Sequence, residues 1–260
     1  GDDEPSPLTQ REVPALARFA VALTRDDTVV TAPSGETLTV GHGLPPQGRE
    51  ERVVLFEKPG TAAEVSRDAS DFFTDELALG NRVRLMKTAT RRHVKESTRS
   101  DDPGARNLVG YADGYPILLA SEMSLAVVNR AILELGGEPV SMDRFRPNVV
   151  IDSAYDEEGE PVAFGEDRFR KVKVGLELSM RAVRACSRCV IVTVDQQTGR
   201  KEGPMVNRAL AAVHAGIDPV NGKRGLFFGQ NMIHDRVGTQ LRVGDEVRPA
   251  FLADTPNIVL

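Results

Sequence analysis

The sequence predicts an α+β fold, rich in short strands that close toward a barrel, with few helices. Three observations predict it. Short β-branched runs bounded by Gly, Pro and Asn recur along the chain. Only two or three stretches combine helical periodicity with start and stop signals. The composition is 40% hydrophobic with no Trp, so aliphatic packing must fill the core.

The first hundred residues read mainly as strands. Thr28 to Ala32 and Glu36 to Val40 are β-branched and joined by Pro33-Ser34-Gly35, and Arg52 to Phe56 is a third run. Thr61-Ala62-Ala63-Glu64 has capping-box spacing and predicts a helix start. Val65, Ala69, Phe72 and Phe73 would be its apolar face and Gly80 its stop. Arg82 to Lys87 alternates like a strand.

Composition then changes. Thr88 to Asn107 is polar and basic, with Arg91, Arg92, His93, Lys95 and Arg99, and carries Asp101-Asp102-Pro103-Gly104 near its end. It predicts a long mobile loop and a domain boundary, dividing the chain into 1–100 and 101–260. It reads either as a solvated linker or as a basic lip over an anionic cofactor or an acidic redox partner.

In the second half, Ser121 caps a predicted helix whose core face is Leu125, Val128, Ile132 and Leu135, ended by Gly136-Gly137. Val149 to Asp152, Lys171 to Val174 and Glu177 to Val183 are strand candidates, and Val190 to Val194 is the strongest. Pro204 starts a helix carrying Leu210 and Val213. Leu241 to Val247 reads as two short strands around a Gly-Asp turn. No internal repeat is evident.

Composition also narrows function. The formal charge of −5 argues against general nucleic-acid binding. No apolar run reaches the roughly eighteen residues of a membrane span. The start, Gly1 to Pro7, is acidic and polar, unlike a secretory leader, and Leu8-Thr9-Gln10 reads like the middle of a domain, so a trimmed N-terminus is expected. Two cysteines make no disulfide scaffold and fit a reducing cytosol. Walker, G-x-G-x-x-G, H-E-x-x-H and G-x-S-x-G motifs are missing from this sequence.

Four features could carry chemistry. Cys186-Ser187-Arg188-Cys189 precedes the Val190 run. Zinc would need a second ligand pair, and His42, His93, His214 and His234 are scattered. A redox dithiol wants its first Cys at a helix N-terminus, whereas a strand is expected after this pair. One thiolate could serve as a soft ligand to a transition metal, helped by Arg184 and Arg188. A buried structural pair is equally compatible. In Arg144-Phe145-Arg146-Pro147-Asn148, Pro147 biases Arg146 toward an extended backbone. A guanidinium fork suits phosphate and an Asn amide suits a heterocycle edge, although surface arginines and a turn Asn would look the same. Asp113-Gly114-Tyr115-Pro116 could let backbone N–H groups approach an anion, or be a plain turn. Phe227-Phe228-Gly229-Gln230 reads as a hairpin turn.

Taken in order, Asp113 to Glu122, Arg144 to Asn148, Phe164-Gly165-Glu166-Asp167, Cys186 to Cys189 with Thr193-Val194-Asp195, Phe228-Gly229-Gln230 and Val243-Gly244-Asp245 resemble the MOSC domain. The branch they resemble contains the mitochondrial amidoxime-reducing component and its bacterial relatives. The match spans roughly Asn107 to Val247, and the N-terminal part resembles part of that branch's companion β-barrel domain. The family's earlier strands carry a Lys-Ser pair and a further Arg for the cofactor phosphate, and this chain is expected to start after them.

The resemblance implies a molybdenum–molybdopterin cofactor, not pyridoxal phosphate. Cys189 matches the family's molybdenum ligand and catalytic position. Arg146 and Asn148 match contacts to the molybdopterin, and Ser187 and Arg188 match contacts beside the ligand. Gly114 and Tyr115 stand where the family offers polar contacts, but differ in type, so backbone contacts could persist and side-chain ones could not. Cys186 is implied to be structural or a neighbour of the ligand. The implied activity is reduction of small N-hydroxylated molecules, with molybdenum cycling between Mo(IV) and Mo(VI). Two cysteines cannot hold an iron–sulfur cluster, so electrons come from a ferredoxin-like, cytochrome or flavoprotein partner. A carrier of sulfur or cofactor, using a Cys189 persulfide, is the alternative. No nucleic acid or membrane is expected among the partners.

Overall fold

The computed structural model describes residues 5–55, 58–93, 108–110, 114–156, 158–219, 221–235, 238–252 and 258. Residues 94–107 of the basic segment lie outside them, as do Phe56 and Asp113. The chain forms two compact units. One comprises Gly1–Arg92 with Val194–Lys201, the other His93–Thr193 with Glu202–Leu260. No local pattern announces that 194–201 belongs with the first unit. No described helix is long and apolar enough to cross a membrane.

In the first unit, β1 (Ala20–Leu23), β2 (Asp27–Thr31) and β3 (Thr37–Gly41) form an antiparallel sheet. A second sheet contains β4 (Glu50–Leu55), β5 (Lys58–Glu64) and β6 (Met86–Lys87). The Thr61 to Glu64 capping box is therefore wrong: those residues are strand, Thr61 to Ala63 paired with Glu50 to Arg52 and Glu64 with Met86. Cross-strand hydrogen bonds take up their backbone groups, a tertiary override of a local signal. Helix α1 (Arg67–Leu77) starts later, where the Ser66 side chain accepts from the Ala69 N–H at 3.1 Å. Of the alternating Arg82 to Lys87 run, only Met86–Lys87 pairs.

The second unit is built on a seven-stranded sheet that curls into a nearly closed barrel. Its strands are β7 (Ile117–Ser121), β8 (Val149–Ile151), β9 (Phe169–Val174), β10 (Leu178–Ser187), β11 (Ala215–Ile217), β12 (Arg224–His234) and β13 (Val247–Leu252). The order is β8-β7-β12-β10-β9-β13, with β11 also on β12. The β8–β7 pair is parallel and the other pairs are antiparallel. Helix α2 (Glu122–Glu134) follows β7 directly, and Ser121 caps it as expected. Helix α3 (Met205–Val213) packs with it.

Period-2 alternation splits the apolar residues between two cores. Leu119 joins Val172, Met180 and Met232 on one side of the sheet. Its neighbour Ala120 joins Val128, Ile132, Leu210, Phe145 and Phe228 on the helix side.

Two strand predictions and one turn prediction fail for physical reasons. Val190–Thr193 is a 3-10 helix, closed by the Thr193 hydroxyl donating to the Val190 carbonyl at 2.7 Å; its β-branched residues find no strand partner. Of the Leu241 to Val247 hairpin, only Val247 is in a strand, paired with Val174. Phe227 to Gln230 is no turn but the buried middle of β12.

Gly229 explains that last surprise. Ala185 pairs with Gln230 but Ser187 with Phe227, so β12 carries one extra residue here. Gly229 has φ +78°, and a Cβ on it would stand 2.5 Å from the Leu119 carbonyl oxygen. Gly229→Ala is expected to cost about 2–4 kcal/mol, from left-handed backbone strain plus a clash with rigid main chain. Urea unfolding measures it, and a loss within about 0.5 kcal/mol would refute the account of this bulge.

Candidate functional site

The CxxC segment straddles a strand end. Cys186 and Ser187 are the last residues of β10, and Cys189 immediately precedes the 3-10 helix. Both cysteines are free thiols and half-buried, and Ser187 is exposed. The expected strand after Cys189 is thus replaced by a short helix, but Cys186 itself lies in β10 rather than at a helix N-terminus.

Arg188 holds the segment together. Its backbone N–H donates to the Leu226 carbonyl at 2.7 Å. Its Nη1 donates to Cys186 Sγ at 2.9 Å and its Nη2 to the Phe145 carbonyl at 2.7 Å. The guanidinium carbon lies 5.5 Å from the centroid of the Phe145 ring, which stacks on Phe228 at 3.9 Å. Among the described residues, the buried Arg188 Nε–H has no hydrogen-bond partner.

That contact ties the CxxC segment to the Arg144-Phe145-Arg146 turn. Met142–Phe145 is a 3-10 helix that ends with Arg146 at φ +56°, ψ +48°. The extended backbone expected before Pro147 is therefore wrong: Arg146 is left-handed, its N–H donating to the Asp143 carbonyl at 3.0 Å. A left-handed non-glycine residue costs on the order of 1–3 kcal/mol and persists only where its surroundings dictate it. Here the helix end fixes one side of the peptide and Arg188 grips the preceding carbonyl. Arg146 is exposed. Arg144 instead turns inward, buried and paired to Glu202 at 2.7 Å. Asn148 is also exposed. Its Oδ1 accepts from the Leu118 N–H at 2.8 Å and its own N–H donates to the Leu118 carbonyl. The Asn148 side chain is thereby oriented with its amide nitrogen directed away from the strand bond.

Gly114 and Tyr115 are not brought to this clasp. They are half-buried ahead of β7. Tyr115 packs with Val109, Val183 and Ile233 and hydrogen-bonds Arg184, which pairs with buried Asp218. Ile117 pairs with Met232 while Ser187 pairs with Phe227. That separation of five residues along β12 is roughly 17 Å at about 3.4 Å per residue.

Sequence reasoning missed a buried polar cluster. Ser124 Oγ accepts from the Phe164 N–H at 2.8 Å and donates to Glu166, whose oxygens lie 2.8 and 3.0 Å away. His214 Nδ1 faces the Phe227 carbonyl at 2.9 Å and Nε2 faces Asp167 Oδ2 at 2.8 Å. Gln230 donates to the other Asp167 oxygen. A carbonyl only accepts, so Nδ1 carries a proton, and a second proton lies between Nε2 and Asp167 Oδ2. The Asp167 partner favours the charged form of His214. Burial opposes that charge, but Asp167, the Phe227 carbonyl and Glu166 together raise the His214 pKa above its ordinary value. Burial, reinforced by repulsion from Asp167, pushes Glu166 up to about 7, against its own N–H, Ser124 and His214. Phe164 stacks on the His214 ring at 3.8 Å. A cavity of about 270 Å³ opens beside them, lined by Tyr155, Phe164, Arg168 and His214 among others. The adjacent acids after Phe164-Gly165 were the available signal.

Both shifts run one way with pH. The Glu166 proton is kept in the folded state to about pH 7 but lost near 4.5 unfolded, so its stabilisation drains as pH rises across that window. The stabilisation from His214 is complete below about pH 6.5 and lost as pH climbs through its raised folded value. Glu166→Gln is therefore expected to gain thermal stability relative to wild type as pH goes from 5 to 8, by up to about 3 kcal/mol. Parallel melting curves for the two proteins across that range would refute the assignment.

Among the described residues, no three His, Cys, Asp or Glu side chains gather as a metal-binding group. Any metal at Cys189 would then draw on fewer than three such protein ligands among the described residues. An orphaned buried Arg188 Nε–H, an oriented Asn148 amide and a presented Arg146 are donors fitted to an anionic, hydrogen-bonding organic group next to that sulfur.

Residues 107–248 match the family model described as the MOSC domain. The chain is 28% identical over 246 residues to "Mitochondrial amidoxime reducing component 2" of Rattus norvegicus, covering 92% of this chain and 68% of that protein. It is 27% identical over 259 residues to "Mitochondrial amidoxime-reducing component 1" of Mus musculus, covering 95% and 69%. A shorter stretch of 145 residues is 33% identical to "Mitochondrial amidoxime-reducing component 1" of Homo sapiens, covering 55% and 39%.

Proposed function

We propose, given that the chain belongs to the MOSC domain family, that it is a molybdenum-cofactor-dependent oxidoreductase that reduces small N-hydroxylated molecules. The observation that carries this reading is a free, half-buried Cys189 thiol next to Arg188, whose buried Nε–H lacks an acceptor. The naming of its relatives as amidoxime-reducing components supports the substrate class.

In this reading Cys189 supplies the one soft protein ligand. Arg146 and Arg188 neutralise negative charge on the bound group, and Asn148 and Ser187 offer it directed hydrogen bonds. Gly114 and Tyr115 precede β7, where Tyr115 hydrogen-bonds Arg184, and their backbone groups remain candidates for the same bound group. When bound, the molybdenum centre supplies two-electron chemistry with acceptance of an oxygen atom. Converting N–OH to N–H consumes two electrons and two protons and releases water. The electrons come from a separate ferredoxin-like, cytochrome or flavoprotein donor. A reducing, cytosolic setting belongs to the proposal, because both thiols must stay free.

Protein made in a molybdopterin-competent host, assayed for molybdenum and for turnover of an aromatic amidoxime with reduced viologen dye, tests it. About one molybdenum per chain with amidine formation is expected. Sulfane sulfur on Cys189 without molybdenum would replace this reading by a sulfur carrier.

A further inference from the structure

Arg188 has a planar fork whose donors cannot be aimed independently. Two of its three nitrogens are spoken for, Nη1 by Cys186 Sγ and Nη2 by the Phe145 carbonyl. Its plane is backed by the Phe145 ring, itself stacked on Phe228, and both rings are fully buried. Its main chain is pinned to Leu226. The guanidinium therefore has no freedom left, and the Nε–H remains buried with no acceptor among the described residues. An unmet buried donor is destabilising, and such a deficit is retained where something else supplies the acceptor.

We propose that Cys186 is a positioning residue: its sulfur, acting with the Phe145 carbonyl, locks the Arg188 guanidinium so that Nε–H is held ready for an acceptor atom of the bound cofactor. The proposal rests on the cofactor reading above and gives the first cysteine of the pair a task distinct from that of Cys189. Without the sulfur, Nη1 loses its acceptor and the fork can rotate about the Phe145 bond, so the pre-set direction of Nε–H is lost. The same rotation loosens the grip on the Phe145 carbonyl, and with it the left-handed turn that presents Arg146.

The test compares wild type, Cys189→Ser, Cys186→Ala, Cys186→Ser and Arg188→Lys, all made in a molybdopterin-competent host. Molybdenum per chain and pterin fluorescence after oxidation are measured following prolonged gel filtration, and Tm is measured on cofactor-free protein. Cys186→Ala and Arg188→Lys are expected to retain on the order of tenfold less cofactor. Cys186→Ser keeps an acceptor at this place and should stay within about threefold of wild type. The cofactor-free Tm of Cys186→Ala should move by no more than about 2 °C. Full loading of Cys186→Ala beside an empty Cys189→Ser overturns the proposal and leaves the cofactor site standing. Equal loss in Cys186→Ser, or a large fall in cofactor-free Tm, reduces Cys186 to a packing role and also overturns it. Wild type as empty as Cys189→Ser overturns both readings together.

Discussion

Cys189→Ser is expected to fold normally and to retain at least about a hundredfold less molybdenum than wild type, with amidoxime turnover falling in step. The argument is about softness and number. A serine hydroxyl is a hard oxygen that stays protonated near neutrality, and among the described residues no cluster of three ligating side chains stands by to compensate. Arg146, Arg188 and Asn148 would still offer donors, so some organic cofactor should remain loosely held while the metal is lost. Cys189 is half-buried and lies outside the strands, so the Tm of cofactor-free protein should shift by less than about 2 °C. Elemental analysis settles it: a variant loaded like wild type would remove Cys189 from the ligand position.

Asp167→Ala is expected to destabilise the chain by about 3–5 kcal/mol, because it removes the partner of a buried ion-pair geometry and leaves the His214 ring nitrogen unmet. It also takes away one acceptor from the Gln230 amide in a fully buried place. Replacing both partners should hurt much less than the sum of the singles, since the double variant leaves no uncompensated charge. Chemical unfolding of Asp167→Ala, His214→Ala and the double variant makes a complete cycle. Additive losses would show that the two side chains do not stabilise one another.

Much of the second unit could be read from the sequence because local and tertiary demands agree there. Ser121 caps α2, its stripe of Leu125, Val128 and Ile132 is buried, and Pro204 opens α3. Disagreement appears where a β-branched or apolar run lacks a partner strand. Val190 to Thr193 has the side chains of a strand but closes on itself through the Thr193 hydroxyl. At Thr61 to Glu64 the reverse occurs, and a perfect helix-start pattern is spent on a hairpin. In the candidate site, residue types were legible and conformations were not. Arg146 and Asn148 could be picked out as donors, yet the left-handed turn arises from Arg188, forty-two positions further along the chain. The histidines looked unrelated because pairing them required carboxylates rather than one another. The partner of His214 lies at Asp167, a separation no local pattern can announce.

The additional residue in β12 has an evolutionary consequence. Phe228 and Met232 are four positions apart and should share a face of a regular strand, yet one sits among the helices and the other in the opposite core. Gly229, lying between them, acts as a parity switch. Deleting any one residue of β12 near it would restore regular alternation and swap inside for outside along the remainder of the strand. Lineages carrying this fold should therefore accept length changes in the loops flanking β12 far more readily than within it. A deletion scan scored by soluble yield would display that as a sharp intolerant window centred on Phe228 to Gln230.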